Sequence, residues 1–101
     1  MESYRNSVVA VGVAQVVISP AIAPGRRKLI LMTNTSAGGE RISIALNGNA
    51  IDGSSIVLAA GFSWLESIDA VFTPTNEVIT AISSGAGGLL AVHERIEAGV
   101  Q

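Results

Sequence analysis

The sequence predicts a small all-β domain, an antiparallel β-sandwich or barrel of six to eight short strands. Clusters of Val, Ile and Thr recur along the chain, and these stiff, β-branched side chains suit a pleated sheet. Gly, Pro, Asn and Ser separate the clusters at spacings of about ten residues, as in sandwiches and barrels. No stretch shows the 3.6-residue hydrophobic period of an amphipathic helix.

The first strands can be placed from apolar runs and the turn residues that end them. A run over residues 7–18, broken near Gly12, is followed by the turn residues Pro24 and Gly25. From Arg27 to Asn34 both alternate sets of side chains are apolar, so we expect this strand to be covered on both faces. Further strands are predicted over residues 41–47, 56–60, 62–66, 77–83 and 89–97, with a loop containing a short strand over 69–76.

Residues 41–47 alternate strictly between apolar and more polar side chains. The pattern predicts a half-buried strand with Ile42, Ile44 and Leu46 towards the core and Arg41, Ser43 and Ala45 towards water. Asn47-Gly48 follows, and this pair is a strong signal for a two-residue hairpin because both residues tolerate positive φ.

Composition bounds the domain and its surface. With 101 residues the chain predicts one domain, in which we expect residues 1–6 to be a flexible N-terminal arm. Hydrophobic residues make up 49 % and charged residues 14 % of the chain, which is fewer charges than usual. We therefore expect a homo-oligomer or a larger assembly to cover part of its surface. We also expect Trp64, the single tryptophan, to be a core residue with Phe62 beside it or at the rim.

Several functional classes are disfavoured. A net charge of −2 provides no field that would attract nucleic acid, and a chain without Cys has no thiolate metal site. The apolar run over residues 8–18, followed by Ala21-Ile22-Ala23, raises the alternative of a signal peptide. We favour a strand, because the run is rich in Val and is too short to cross a bilayer. We expect neither nucleic acid nor membrane as a partner.

We predict no catalytic, cofactor-binding or metal-binding residues. His93 is the single histidine, so a site with two or three His ligands cannot form within one chain. A Ser-His-Asp triad would need a supporting geometry, and no G-x-S-x-G motif is present. The glycine-rich segment 85–88 lacks the Lys-Ser/Thr of a phosphate loop and is interpreted as a turn. The acids are expected to be solvated: Glu2, Glu40, Asp52, Glu66, Asp69, Glu77, Glu94 and Glu97.

Arg26-Arg27-Lys28 is the one concentrated charge feature, holding three of the six basic residues. Such a run can bind a partner surface rich in carboxylates. The alternative is the solvated start of a strand, where charges discourage edge pairing. The candidate partner-contact residues are Arg26, Arg27 and Lys28, together with Arg5 in the N-terminal segment.

The order of segments resembles a known class of viral proteins. The features that carry the resemblance are the Val-rich opening strand, the run Pro24-Gly25-Arg26-Arg27-Lys28-Leu29-Ile30-Leu31-Met32-Thr33-Asn34, the segments Ile56-Val57-Leu58-Ala59-Ala60-Gly61 and Val78-Ile79-Thr80-Ala81-Ile82-Ser83-Ser84-Gly85, and a closing strand. This order resembles the small β-sandwich structural proteins of tailed phages, including capsid decoration (cement) and head-fibre proteins. The resemblance covers roughly residues 7–97.

The resemblance implies a non-enzymatic role on the capsid exterior. The expected partner is the major capsid protein, and the expected assembly is a homotrimer. The protein would then be located in the virion, after assembly in the host cytoplasm. A decoration protein that stabilises the assembled head is the first expectation, and a receptor- or glycan-binding module of a tail or fibre is the alternative.

Overall fold

Eight strands form two four-stranded antiparallel sheets in the computed structural model, which describes residues 2–23, 26–54, 56–67 and 74–97. The prediction of an all-β sandwich is confirmed, and the described residues contain no helix. In chain order the strands are β1 (Glu2–Val11), β2 (Val16–Ser19), β3 (Arg27–Asn34), β4 (Ile42–Ala45), β5 (Ile56–Leu58), β6 (Ser63–Ser67), β7 (Ile79–Ser83) and β8 (Gly88–Glu97).

The strand order identifies the architecture. One sheet has the order β1-β8-β3-β6 and the other β2-β7-β4-β5; we call them the long sheet and the short sheet. This pair of orders is that of a jelly roll, in which eight strands wrap into two facing sheets. The first and last strands of the long sheet pair along ten residues, from Glu2 opposite Glu97 to Val11 opposite Gly88.

The core lies between the two sheets and is built almost entirely of aliphatic side chains. The long sheet contributes Ile30, Met32 and Leu90, all with no exposed surface, and the short sheet contributes Ile42 and Ile79 in the same state. These side chains alternate along their strands with outward-facing ones, as a pleated sheet requires. Burial of this apolar surface is the main stabilising term of the fold.

The aromatic residues contribute less to the core than the sequence suggests. Trp64 packs against the aliphatic cluster from β6 but is only half-buried. Phe62 precedes β6 and is exposed. The core prediction for Trp64 therefore holds only in part, and Phe62 lies at the surface.

The N-terminal segment differs from the predicted flexible arm. Residues Glu2 to Asn6 belong to β1, where they pair with the last five residues of β8, from Glu97 to His93. The prediction of an arm is therefore wrong for these residues, because the closing strand β8 pairs with them along one edge of β1. Met1 lies outside the described residues.

The connection after β4 also differs from its prediction. β4 ends at Ala45 and β5 begins at Ile56, so a long loop joins them instead of a two-residue hairpin. Gly48 does adopt the positive φ (92°) that an Asn-Gly turn allows. The turn is real, but it lies inside the loop. The predicted segment 69–76 falls mostly on residues 68–73, outside the described part of the chain.

Candidate interaction surface

The outer face of the long sheet carries an open surface that is mainly apolar. Because strands alternate, β1 directs Tyr4 and Val8 to this face, and both are strongly exposed, at 61 % and 65 %. β6 and β8 add Leu65 and Leu89, which are also exposed. Exposed apolar side chains that adjoin one another on one face are typical of binding surfaces, whereas isolated ones are ordinary.

A shallow groove of about 400 Å³ crosses the middle of this face. His93 and Asn6 lie opposite each other on β8 and β1, and His93 Nδ1 hydrogen-bonds to Asn6 Oδ1. The Tyr4 ring stacks near the His93 ring, with centroids 6.0 Å apart and planes at 21°. The groove therefore combines apolar walls with one amide, one imidazole and two hydroxyl groups, and the Tyr4 phenol lies beside the imidazole. Its lining is Asn6, Ser7, Val8, Leu31, Thr33, Ala91, Val92 and His93.

The outer face of the short sheet, in contrast, is largely covered by the loop that follows β4. Ser43 Oγ accepts a hydrogen bond from Gly53 N at 2.9 Å, and Thr80 Oγ1 donates one to Gly48 O at 2.9 Å. Ser43 and Ala45 are consequently buried. The prediction that they face water is wrong, because the loop that follows β4 folds back over it and hydrogen-bonds to Ser43.

Two of the predicted partner-contact residues bind the same buried carboxylate. Arg27 on β3 and Arg5 on β1 both bind the carboxylate of Glu94 on β8. Arg27 Nε donates to Glu94 Oε2 at 2.9 Å, and Arg5 donates to Glu94 Oε1 through Nε at 3.1 Å and through Nη2. Ser19, from the short sheet, donates its hydroxyl hydrogen to Glu94 Oε2 at 2.7 Å. This charge cluster links the two sheets.

Arg27 uses every donor that its guanidinium has. Nη1 donates to the carbonyl oxygens of Thr75 and Glu77, and Nη2 donates to Ser19 Oγ at 2.6 Å and to Pro20 O at 3.0 Å. Its side chain has no exposed surface, so Arg27 does not reach the surface that a partner would touch. Its role is to hold the loops around β2 and β7 against the long sheet.

The burial of Glu94 corrects the expectation that all acids are solvated, and Glu66 is buried as well. Burial by itself would raise the pKa of Glu94, but the hydrogen bonds from Ser19, Arg27 and Arg5 outweigh it and hold the pKa below its ordinary value. Glu94 is therefore an anion in the folded protein at neutral pH. No sequence motif indicated it; the cue that exists is alternation, which places Glu94 on the same face of its strand as Val92 and Ile96.

The other basic residues remain nearer to solvent. Arg26 is half-buried and donates from Nε to the backbone oxygen of Glu97 at 3.0 Å. Lys28 Nζ lies 3.9 Å from Glu97 Oε1, and Arg5 keeps about half of its side chain exposed. The run of three basic residues therefore does not form one patch. Arg5, Arg26 and Lys28 stay predicted partner contacts.

The glycine-rich turn has a packing explanation. Glu40 lies among Gly38, Gly85 and Gly87, and a Cβ at Gly87 would stand 2.7 Å from Glu40 Oε2. Glycine leaves the room that this carboxylate occupies. Among the described residues no group of three His, Cys, Asp or Glu side chains lies close enough to hold a metal ion.

No family model, curated protein or solved structure matches this chain. Within the described ranges, no helix is long and apolar enough to span a membrane.

Proposed function

We propose that this protein is a non-enzymatic virion structural protein that binds the outer surface of an assembled phage capsid and stabilises it. The observation that carries the proposal is the exposed, mainly apolar outer face of the long sheet. The order of the sequence segments, which resembles that of phage decoration proteins, suggests which lattice this face binds.

The distribution of charge on this face supports a protein partner. Among the side chains that the structure describes, alternation assigns the charges of Arg95 and Glu97 to this face, both at the end of the sheet where β1 begins. The rest of the face offers apolar side chains with a few neutral polar ones. An uncharged centre with charges at its border is the usual pattern of a protein–protein interface.

The architecture is compatible with this role. Jelly rolls occur in viral capsid proteins and also in lectins and cupins, and a fold alone does not define a function. A small face can nevertheless bind a capsid firmly when the copies are linked, because the second contact then forms at high effective concentration. Binding to the assembled lattice and not to its dissociated subunits would stabilise the lattice by mass action.

The direct test adds the purified protein to undecorated capsids of the phage that encodes it. Occupancy and the temperature of capsid rupture are measured. We expect saturable binding and a higher rupture temperature. Leu65→Glu, which places a charge on the outer face of the long sheet, should abolish binding. Val57→Glu, at an exposed apolar residue of the short sheet, is the matched control and should bind normally. Absence of wild-type binding, or equal binding by Leu65→Glu, would contradict the proposal.

A glycan is the second candidate partner, and one observation favours it. Tyr4 is exposed beside His93 and Asn6 at the groove, and an aromatic ring next to polar groups suits the apolar face and hydroxyls of a sugar. A glycan array and host-cell binding, with Tyr4→Ala as the negative variant, would identify this activity. Binding to glycans or cells without binding to capsids would replace the decoration role with a receptor-binding one.

A further inference from the structure

The outer edge of β1 is the longest unpaired edge among the eight described strands. Each sheet has two edge strands, and β6, β2 and β5 have five, four and three residues. β1 has ten and pairs with β8 alone. No described residue hydrogen-bonds to its other edge through the backbone. Residues 3–8 are all exposed, so this edge is open to another chain.

Most of the usual protections of a long edge are missing from β1. Monomeric proteins interrupt such edges with proline, lysine, a bulge or an inward-pointing charge. β1 contains no Pro or Lys, and its pairing with β8 runs through ten residues without a register shift. The one protection present is the inward-pointing charge of Arg5, and that charge is already paired with Glu94. An edge that is long, regular and mostly unprotected is a site for strand addition.

We propose that the edge of β1 binds the same edge of a second copy of this chain, antiparallel and centred on Asn6. The two long sheets then join into one eight-stranded sheet around a two-fold axis perpendicular to it. A two-fold interface must be complementary to itself. The β1 edge meets this requirement in its regular pairing geometry and in its charge.

Side-chain alternation and charge select the register. Opposed residues must share a face of the sheet. The two-fold axis therefore lies midway between the two copies of one residue, so that this residue opposes itself. Centring on Arg5 would oppose two guanidinium groups. Centring on Asn6 instead places Tyr4 opposite Val8 of the second copy, which pairs an aromatic with a β-branched side chain as sheets favour. Arg5 then faces Ser7 of the second copy, and no like charges meet.

This pairing does not depend on capsid binding, and it differs from the trimer that the sequence resemblance implies. It leaves the apolar outer faces of both copies on the same side, so two groove surfaces become one continuous surface. Such a dimer would offer two linked contacts to any repeating partner. Failure of dimerisation and failure of capsid binding are separate results from separate measurements.

The first test measures the mass of the purified protein in solution at micromolar concentration. We expect a dimer. Asn6→Lys places two lysines opposite each other at the axis and should give a folded monomer, as judged by circular dichroism. Val17→Lys, the same charge on the exposed edge strand β2, should remain a dimer. A wild-type monomer or trimer, or an Asn6→Lys variant that is still dimeric, would overturn the proposal.

The second test uses the absence of cysteine from the chain. In an antiparallel pair, opposed Cα atoms are about 4.5–5.5 Å apart, which is within the range for a disulfide. Under mild oxidation Asn6→Cys should form a covalent dimer at least tenfold faster than Ser7→Cys or Val57→Cys. Faster crosslinking of Ser7→Cys would show an axis at Ser7 and reject this register. Equal slow rates for all three variants would reject pairing through β1.

Discussion

Arg27 and Glu94 form an ion pair, 2.9 Å between Nε and Oε2, and neither side chain has any exposed surface. The two residues lie on adjacent strands of the long sheet and face the short sheet. Ser19 and the carbonyl oxygen of Pro20 complete their hydrogen bonds from the short-sheet side. The Arg27 charge is therefore acceptable in the interior only while Glu94 is present, because an unpaired buried ion is costly, whereas Glu94 also binds Arg5.

Glu94→Gln should destabilise the protein by about 3–5 kcal/mol, because it leaves the Arg27 guanidinium buried without an anion. Denaturant unfolding at pH 7 measures the change. Asp52→Asn is the matched control, since it removes an equally short but exposed pair with Arg41, and exposed pairs contribute about 0–1 kcal/mol. Similar losses of unfolding free energy in both variants would show that burial does not make the Glu94 pair contribute more to stability than an exposed pair.

The stability that Glu94 contributes should depend on pH. The pKa of Glu94 in the folded protein is below the ordinary value of 4.5. Between these two pKa values the unfolded chain binds more protons than the folded protein, so stability rises with pH. The contribution is complete above pH 4.5 and is lost as the pH falls through the lower folded value. Denaturant unfolding should be measured in a series from pH 7 downwards. The difference in free energy of unfolding between wild type and Glu94→Gln should decrease below pH 4.5, and a difference that stays constant would contradict this prediction.

Trp64→Phe should cost much less stability than Trp64→Ala. The ring packs against the core, so truncation to alanine should lose about 3 kcal/mol. The indole Nε1 is buried and has no hydrogen-bond partner among the described residues, and such a donor is itself unfavourable by about 1–3 kcal/mol. Phenylalanine removes that donor and keeps most of the apolar contact. Denaturant unfolding of both variants checks the order, and a loss above 2 kcal/mol for Trp64→Phe would contradict it.

Gly88→Ala should destabilise the fold by about 1–3 kcal/mol through overpacking. A Cβ at Gly88 would lie 2.6 Å from Ser83 Oγ and nearer still to the backbone oxygen of Val11. The backbone of β1 has little room to yield there, since Val11 is fully buried. Gly12→Ala is the control, because its Cβ would meet nothing within 4 Å. Thermal unfolding should separate the two variants by several degrees.

Local sequence patterns determined the positions of most strands. Arg27–Asn34 is a strand with the bounds that its apolar run predicts, and the break after Val11 falls at the predicted Gly12. Both depend on short-range properties: β-branched side chains favour extended backbone, and glycine or proline interrupts it. The Asn47-Gly48 turn depends on the same short-range properties and can be predicted from the sequence. The long loop around it does not depend on them and cannot.

Only the tertiary structure decided which strands pair and which charges are buried. β1 and β8 lie at opposite ends of the chain, and nothing local to either of them specifies the other. Sequence placed Arg27 at a surface and Glu94 in solvent, because charged side chains are rarely buried unless they are paired. Their pairing needs β3 and β8 to be neighbours and Ser19 to arrive from the opposite sheet. The interior tolerates these charges because the fold brings the paired residues together. The sequence around one charged residue does not specify which distant residue will pair with it.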